Sequence, residues 1–171
     1  MFKTLKRLGA YMGRRKWLLP CSVGLSAVNG LLSLVPFILL WLVVRMLLTA
    51  ERDLADTPLW DYALAAFIVS VTNVLLYFAA LILSHLAAFR IETNMRRKAM
   101  QRLMRVPLGF FDTQNTGRMR KIIDEDSGQT HTFVAHLLPD VASCVVAPIG
   151  VIVLLFSVDW QLGAAAMIPL I

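Results

Sequence analysis

The sequence predicts an all-α membrane protein with three long transmembrane helices and the start of a fourth. Hydrophobic residues make up 58% of the 171 residues and charged residues only 16%, whereas a soluble domain carries about 25% charged residues. The runs 17–44, 62–89 and 141–158 contain no Asp, Glu, Lys or Arg, and about 20 apolar residues suffice for a helix to cross a bilayer. This composition excludes an ordinary soluble enzyme and a disordered chain. With only two cysteines, a disulfide scaffold is excluded as well.

The basic residues predict how the chain is oriented. Of the 17 Lys and Arg residues, six lie in residues 1–16 and nine in residues 90–126, while residues 45–61 contain two and residues 159–162 none. Loops rich in Lys and Arg stay on the cytoplasmic side of a membrane. We therefore expect the N-terminus and the 90–126 loop to be cytoplasmic and the other two loops to lie outside.

An interfacial helix and the first span are the first predicted elements. In residues 1–16, apolar side chains recur at helical spacing among basic ones, which predicts an amphipathic helix on the inner leaflet, with a plain basic tail as the alternative. Residues 17–48 form the first predicted span, which Pro20 and Pro36 are expected to bend. Small residues at helical spacing in this span are expected to let another helix approach closely: Ser22, Ser26, Gly30 and Ser33.

The second predicted helix, residues 59–106, is longer than a bilayer requires. It lies between Pro58 and Pro107 and contains neither Gly nor Pro. From Arg90 onward it becomes basic but keeps an apolar stripe at helical spacing. One continuous helix is therefore predicted, which crosses the membrane and runs on into the cytoplasm as an amphipathic rod.

An intracellular loop, residues 107–126, is predicted at the end of this rod. Within it, Phe110–Gly117 predicts a turn and Arg118–Ile123 a short basic helix. The acidic stretch Asp124–Ser127 is typical of the start of the next helix. The second and third helices are thus expected to project into the cytoplasm and to be joined at their tip by a short helix.

The third span is predicted at residues 127–158, and residues 163–171 predict the start of a fourth. Nine residues rise only about 14 Å as a helix, less than half a bilayer. A chain end inside the hydrocarbon would leave unpaired carbonyl groups there. We therefore expect the polypeptide to continue beyond residue 171.

Several stretches of this loop resemble a known family in their order and spacing. The stretches are Arg105–Asp112 (RVPLGFFD), Thr116–Met119 (TGRM) and Ile122–Asp124 (IID). They resemble the first intracellular loop of ATP-binding-cassette (ABC) transporters of the exporter type. Leu137–Pro139 and Asp159–Leu162 fit the same pattern. The resemblance implies six spans per half-transporter and a translocation path to which the first three spans contribute.

The resemblance also implies partners and cofactors. The chain would be the permease portion of a transporter and would pair with a second half-transporter, either identical or different. Both halves would lie in the lipid bilayer of the plasma membrane, which in a bacterium is the inner membrane. A nucleotide-binding domain, on the same or a separate chain, would bind ATP and Mg²⁺. No G-x-x-x-x-G-K-[ST] phosphate loop occurs in the sequence, so no catalytic residue is predicted here and the transport ATPase activity would belong to the full-length parent protein.

By the same resemblance, the short helix at the tip is similar to a coupling helix, which contacts the nucleotide-binding domain. The residues expected to make that contact are Asn115, Thr116, Gly117, Arg118, Met119, Arg120 and Ile122. The following stretch, 120–136, is similar to bacterial members linked to iron-siderophore traffic, some of which import. The direction of transport is therefore left open.

Polar residues inside the predicted spans are candidates for the substrate path. Asn29, Asn73 and His85 are the candidates, and hydrogen bonding between helices is the alternative for each. His131 and His136 are five residues apart, a poor spacing for one helical face, so polar packing is favoured over a metal site. The basic residues of the rod lack interleaved aromatic residues, so no nucleic acid partner is predicted.

Two functions of different classes remain open at this stage. The first is the membrane portion of an ATP-driven transporter, which the long helix and the Phe110–Gly117 motif favour. The second is a small multi-pass membrane scaffold or regulatory subunit without transport activity of its own. An ion-coupled carrier would need paired charges in mid-span, and the first two spans contain none.

Overall fold

The computed structural model describes residues 8–9, 11–49, 59–107, 109–113 and 116–167, and all regular secondary structure in these residues is helical. The chain divides into two compact units. The first unit comprises Met1–Val23 and Ala80–Pro139, and the second comprises Gly24–Ala79 and Asp140–Ile171.

Helices make up nearly all of the described residues. Three helical stretches are long and apolar enough to cross a membrane, Leu18–Leu48, Leu59–Leu103 and Thr116–Val158, which confirms the predicted all-helical membrane protein. We number the helices along the chain as α1 Leu18–Leu32, α2 Val35–Thr49, α3 Leu59–Leu103, α4 Gly109–Thr113, α5 Thr116–Val158 and α6 Trp160–Met167. A short 3₁₀ helix, Gly13–Arg15, precedes them.

The first predicted span consists of two helices. Pro36 has no N–H to bond the carbonyl of Leu32, where α1 ends, and its ring would crowd that carbonyl. The interruption at residues 33–34 relieves both problems, and the Ser33 hydroxyl donates to the Gly30 carbonyl at 2.7 Å. Pro20, by contrast, lies in the first turn of α1, where a proline is tolerated. The span is therefore interrupted next to Pro36 and not at Pro20, and the predicted bend stays a prediction.

Helix α3 is uninterrupted over 45 residues. At 1.5 Å per residue it is about 68 Å long, more than twice the thickness of a bilayer core. Continuity through Arg90 follows from the absence of Gly and Pro. The helix is therefore longer than a single membrane crossing requires.

The residues after α3 differ from the prediction in two places. Gly109–Thr113 is the short helix α4, where a turn was predicted. Asp124–Ser127 does not begin a helix, because α5 already starts at Thr116 and runs through this stretch. Asp124 lies instead inside the helix, where it pairs with Arg120 one turn earlier, with 3.8 Å between Oδ2 and Nε.

Helix α5 contains two π-helical segments, Lys121–Glu125 and Phe133–Leu137. A π-helix bonds each carbonyl to the N–H five residues on and accommodates one extra residue per turn. The second segment lies just before Pro139 and includes the fully buried Val134 and Ala135. Helix α5 therefore changes its side-chain register where it packs most tightly.

The N-terminal segment, of which residues 8–9 and 11–16 are described, contributes two side chains to the hydrophobic core of the first unit. Leu8 and Met12 are 9% and 2% exposed and belong to one hydrophobic cluster with Ile91. These two side chains therefore pack on protein rather than on lipid, which departs from the predicted helix on the inner leaflet. Residues 1–7 of that predicted helix lie outside the described residues.

Two polar contacts attach this segment to α3. The Asn94 side-chain N–H donates to the Tyr11 carbonyl at 2.6 Å, and the Lys98 ammonium lies 4.3 Å from the centre of the Tyr11 ring. Gly13 then turns the chain with a φ of 63°. This conformation costs an L-residue with a Cβ atom about 1–2 kcal/mol.

In the second unit, α1 and α5 approach each other closely at small residues. A Cβ on Gly30 would lie 3.2 Å from both the Cα and the carbonyl oxygen of Ser143. The Ser143 hydroxyl also donates to the Ser26 carbonyl at 2.8 Å. The predicted role of the small residues in helix packing is thus confirmed for Gly30 and Ser26.

We predict that Gly30→Val lowers the melting temperature of the full-length protein, because the new side chain would meet backbone atoms that cannot move aside. Overpacking of this kind costs about 1–3 kcal/mol. Gly24→Val is the matched control, since a Cβ there meets nothing within 4 Å. Equal melting temperatures for the two variants in a detergent thermal-shift measurement would contradict the packing described here.

Candidate functional sites

The tip between α3 and α5 exposes a mixture of aromatic and basic side chains. Phe110 and Phe111 are each 37% exposed and stack edge to face with 5.8 Å between ring centres. Ile122 is 53% exposed, and Arg118 and Arg120 are exposed beside it in sequence. Apolar surface of this kind, bordered by charge, is typical of a protein-binding site.

The structure assigns most of the predicted coupling residues to the beginning of α5. Thr116, Gly117, Arg118, Met119 and Arg120 form its first α-helical piece. Ile122 follows in the first π-helical segment, and Asn115 lies outside the described residues. All of the described members are exposed except Met119, which is half-buried.

The two phenylalanines were missing from the predicted contact residues. They were assigned to a turn motif, whereas the structure presents them on the helix α4. The sequence did indicate a contact role for them, because two adjacent aromatic residues in an otherwise polar loop have no nearby hydrophobic core in which to pack. Their partial exposure adds them to the candidate contact surface.

Two amide side chains in the second unit each have an oxygen without a hydrogen-bond partner among the described residues. Asn29 and Asn73 are half-buried, and the Oδ1 atom of each is shielded from solvent without a hydrogen bond among the described residues. A buried acceptor left unpaired costs about 1–3 kcal/mol. Each amide is therefore suited to accept a hydrogen bond from a group outside the described structure, such as a substrate or another helix.

The three histidines, which the spacing argument treated as separate, lie together in the first unit. The ring centre of His85 is 4.8 Å from that of His136 and 5.6 Å from that of His131. The five-residue spacing failed as an argument because the π-helical segment Phe133–Leu137 brings residues five apart toward the same side. In the part of the chain that the structure describes, no three His, Cys, Asp or Glu residues are arranged to hold a metal ion.

A hydrogen bond next to this cluster holds α3 against α5. Pro139 lacks the N–H that would bond the Ala135 carbonyl in an α-helix. The Ser84 hydroxyl, which is completely buried, lies 2.8 Å from that carbonyl and equally far from the Leu81 carbonyl on its own helix, so its one proton is shared between two acceptors. This contact joins α3 to α5 at a position that water does not reach.

One carboxylate also joins the two helices. Glu92 on α3 is 16% exposed, and its Oε1 atom lies 2.8 Å from Nη2 of Arg96 one turn on. Its other oxygen, Oε2, lies 3.0 Å from Nδ1 of His131 on α5. Arg96 in turn donates to the backbone carbonyl of Asp124 at 3.4 Å. The pair of Glu92 and Arg96 is expected from their i,i+4 spacing and is confirmed. The links to His131 and Asp124 were not foreseen, because they connect residues far apart in the sequence.

Comparisons with known proteins point to the same kind of protein as the sequence motifs do. Residues 19–171 match the model of the family described as ABC transporter transmembrane region. The mycobactin import ATP-binding/permease protein IrtA of Mycolicibacterium smegmatis is 30% identical over 86% of this chain and 17% of its own length. The protein of the same name from Mycobacterium tuberculosis is 32% identical with the same coverage.

A more distant similarity covers less of the chain. The ATP-dependent lipid A-core flippase of Pectobacterium atrosepticum is 34% identical over 43% of this chain and 13% of its own length. The chain thus spans less than a fifth of the length of the curated relatives described here.

We predict that Ser84→Ala destabilises the full-length protein by about 1–3 kcal/mol, because it removes the buried hydroxyl that contacts the Ala135 carbonyl of the neighbouring helix. The control is Ser157→Ala, since the Ser157 hydroxyl bonds the Leu154 carbonyl on its own helix at an exposed position. Thermal unfolding monitored by size-exclusion chromatography distinguishes the two. A loss no larger than that of the control would argue against a helix-joining role for Ser84.

Proposed function

The chain belongs to the family of ABC transporter transmembrane regions, as the membrane permease portion of such a transporter, and from this membership we propose that it couples ATP hydrolysis to the movement of a substrate. ATP and Mg²⁺ bind at a nucleotide-binding domain, on the same or a separate chain, which makes the full-length parent a transport ATPase. A second half-transporter completes the path. The names of the relatives, which combine ATP-binding and permease functions, support this proposal.

The observation that carries the proposal is the length of α3 together with the exposed tip. The helix is more than twice as long as a bilayer core is thick, and its second half is rich in Arg and Lys. Basic segments next to spans stay in the cytoplasm, where ATP is available. In our proposal, the N-terminus and the tip therefore lie on the cytoplasmic side of the membrane, which in a bacterium is the inner membrane.

At the tip, α4 and the start of α5 dock on the nucleotide-binding domain. Phe110, Phe111 and Ile122 supply apolar contacts, and Arg118 and Arg120 supply charge. Closure of the nucleotide-binding domains around ATP then pulls on the tip. Because α3 is a single helix from the tip into the apolar run, the movement passes to the membrane without an intervening hinge.

The substrate path includes Asn29, Asn73 and His85, each contributing a polar group within an otherwise apolar span. The free Oδ1 atoms of the two asparagines accept hydrogen bonds from the substrate. Siderophores are the first substrate class to test, and import is the first direction of transport to test. The reason is that the relatives aligned with 86% of this chain are named for mycobactin import. The flippases cover less than half of it.

We predict that a crosslinker at Met119 reaches the nucleotide-binding domain. In the full-length protein with its native cysteines replaced, Cys21 and Cys144 among them, Met119→Cys would be labelled with benzophenone maleimide and illuminated. Mass spectrometry should find crosslinked peptides of the nucleotide-binding domain, in a yield that changes between the nucleotide-free and the ATP-bound state. Docking at the tip is the reason for both expectations.

The matched control is Gln129→Cys, an exposed position three turns further along α5. It should give little of this product in either state. If Met119→Cys behaves like the control in every nucleotide state, the chain is not a coupling element, and the scaffold alternative takes its place.

We also predict that Asn29→Leu and Asn73→Leu each reduce substrate-stimulated ATPase activity while leaving basal ATPase activity unchanged. Loss of one hydrogen bond should weaken apparent substrate affinity by about 3- to 10-fold. Thr72→Val serves as the control, because the Thr72 hydroxyl bonds the Ile68 carbonyl of its own helix. Stimulation curves with a ferric siderophore that match the wild type would remove both asparagines from the path.

A further inference from the structure

Basic side chains border two of the apolar runs of the chain at the same boundary of the membrane. Arg15 and Lys16 directly precede the run 17–44, and Arg90 directly follows the run 62–89. All three side chains are exposed. Because the chain crosses the bilayer twice between Lys16 and Arg90, the three residues lie on the same side of it.

Buried side chains hold Arg15 and Lys16 beside α3. Met12 and Leu19 flank these two residues in the sequence, and both belong to one hydrophobic cluster with Ile91 of α3. The chain between Met12 and Leu19 is therefore anchored to the core at both of its ends. This anchoring keeps the two basic residues next to the part of α3 that follows its apolar run.

The face of α3 that carries Arg90 also receives the N-terminal segment. Asn94, one turn further along this face, donates from its side chain to the Tyr11 carbonyl at 2.6 Å. Arg97, one turn beyond Asn94, is exposed. Arg90 and Arg97 thus lie on either side of the point where the two segments are joined.

No acidic group balances this charge in the part of the chain that the structure describes. Residues 8–19 contain no Asp or Glu. Glu92 lies two residues from Arg90, which is a rotation of about 200° on a helix, and it pairs with Arg96 and His131 instead. Four basic side chains form no ion pair with another described residue: Arg15, Lys16, Arg90 and Arg97.

An anionic phospholipid has the two properties that this place requires. Its phosphate accepts paired hydrogen bonds from a guanidinium group, and its acyl chains lie along the apolar runs. Trp17, which follows Lys16, is 77% exposed, and an indole ring is favoured at the level of lipid headgroups. An acidic protein segment would supply charge but no acyl chain for the membrane side of the site.

We propose that Arg15, Lys16 and Arg90, with Arg97 beside them, form a binding site for the headgroup of an anionic phospholipid. The basic residues then act in the finished protein, in addition to orienting the chain during insertion. The site joins the N-terminal segment to α3 through the bound lipid. This inference depends neither on the transported substrate nor on the direction of transport.

The test measures lipid binding to the purified full-length protein, in which insertion is already complete. Native mass spectrometry would follow titrations with phosphatidylglycerol and with phosphatidylcholine, whose phosphate is neutralised by its own choline group. We expect phosphatidylglycerol to bind more tightly, and equal affinities would overturn the proposal. Arg15→Gln combined with Lys16→Gln should weaken phosphatidylglycerol binding about 25-fold, about fivefold for each basic residue, and leave phosphatidylcholine binding unchanged.

The matched control is Arg102→Gln combined with Arg105→Gln, which removes the same charge from exposed positions. Arg102 lies about 18 Å along α3 from Arg90, roughly twice the distance over which physiological salt screens a charge. The control should change phosphatidylglycerol binding by less than about twofold. Equal losses in the two double variants would overturn the proposal, because binding would then follow net charge alone.

Two measurements on the unsubstituted protein keep the proposal falsifiable if a variant fails to fold. Excess inorganic phosphate should leave phosphatidylglycerol bound, because the free anion has no acyl chains. Displacement by phosphate would mean that the site takes any phosphate, and would overturn the lipid assignment. Phosphatidylglycerol with a photoreactive headgroup should crosslink to residues 13–18 or to α3 near Arg90, and crosslinks found only elsewhere would overturn the proposal as well.

Discussion

A backbone carbonyl inside a bilayer cannot turn to water, so each proline in a membrane helix leaves a carbonyl that the protein itself must satisfy. In an α-helix Pro139 would leave the Ala135 carbonyl without a donor, and the Ser84 hydroxyl of the neighbouring helix lies 2.8 Å from that carbonyl. This buried contact joins α3 to α5. His85 follows Ser84 in α3, and Glu92 lies about two turns further along the same helix, beside His131. The polar network of the first unit is thus arranged around a proline that the neighbouring helix helps to accommodate.

In the second unit, small side chains let two helices approach closely and form a hydrogen bond. Gly30 lets the backbone of α5 come so close that a methyl group would have to displace Ser143. Without a hydrophobic driving force between helices in lipid, such close contact and the hydrogen bond from Ser143 to the Ser26 carbonyl supply the attraction. Pro36 ends this packed stretch by interrupting the helix, which separates α1 from α2. Packing therefore accounts for the small residues here without a ligand.

The predictable features were those that follow from one segment at a time. The absence of Gly and Pro predicted the continuous α3, and the spacing of small residues predicted the close approach at Gly30. The π-helical segments of α5 were not predictable, because apolar periodicity does not reveal a local change of hydrogen-bond partner. Asp124 was assigned to a helix start because capping and i,i+4 pairing favour the same residue types. Contacts such as Glu92 with His131 depend on the register between helices, which no single segment encodes.

The burial of the N-terminal segment has a consequence for the order in which the protein assembles. Leu8 and Met12 precede Ile91 and Val134 by many residues in the chain, yet all four belong to one hydrophobic cluster. Translation therefore produces the two early side chains before the residues that cover them. Until Ile91 and Val134 are made, Leu8 and Met12 need an apolar environment other than the one that the finished first unit provides.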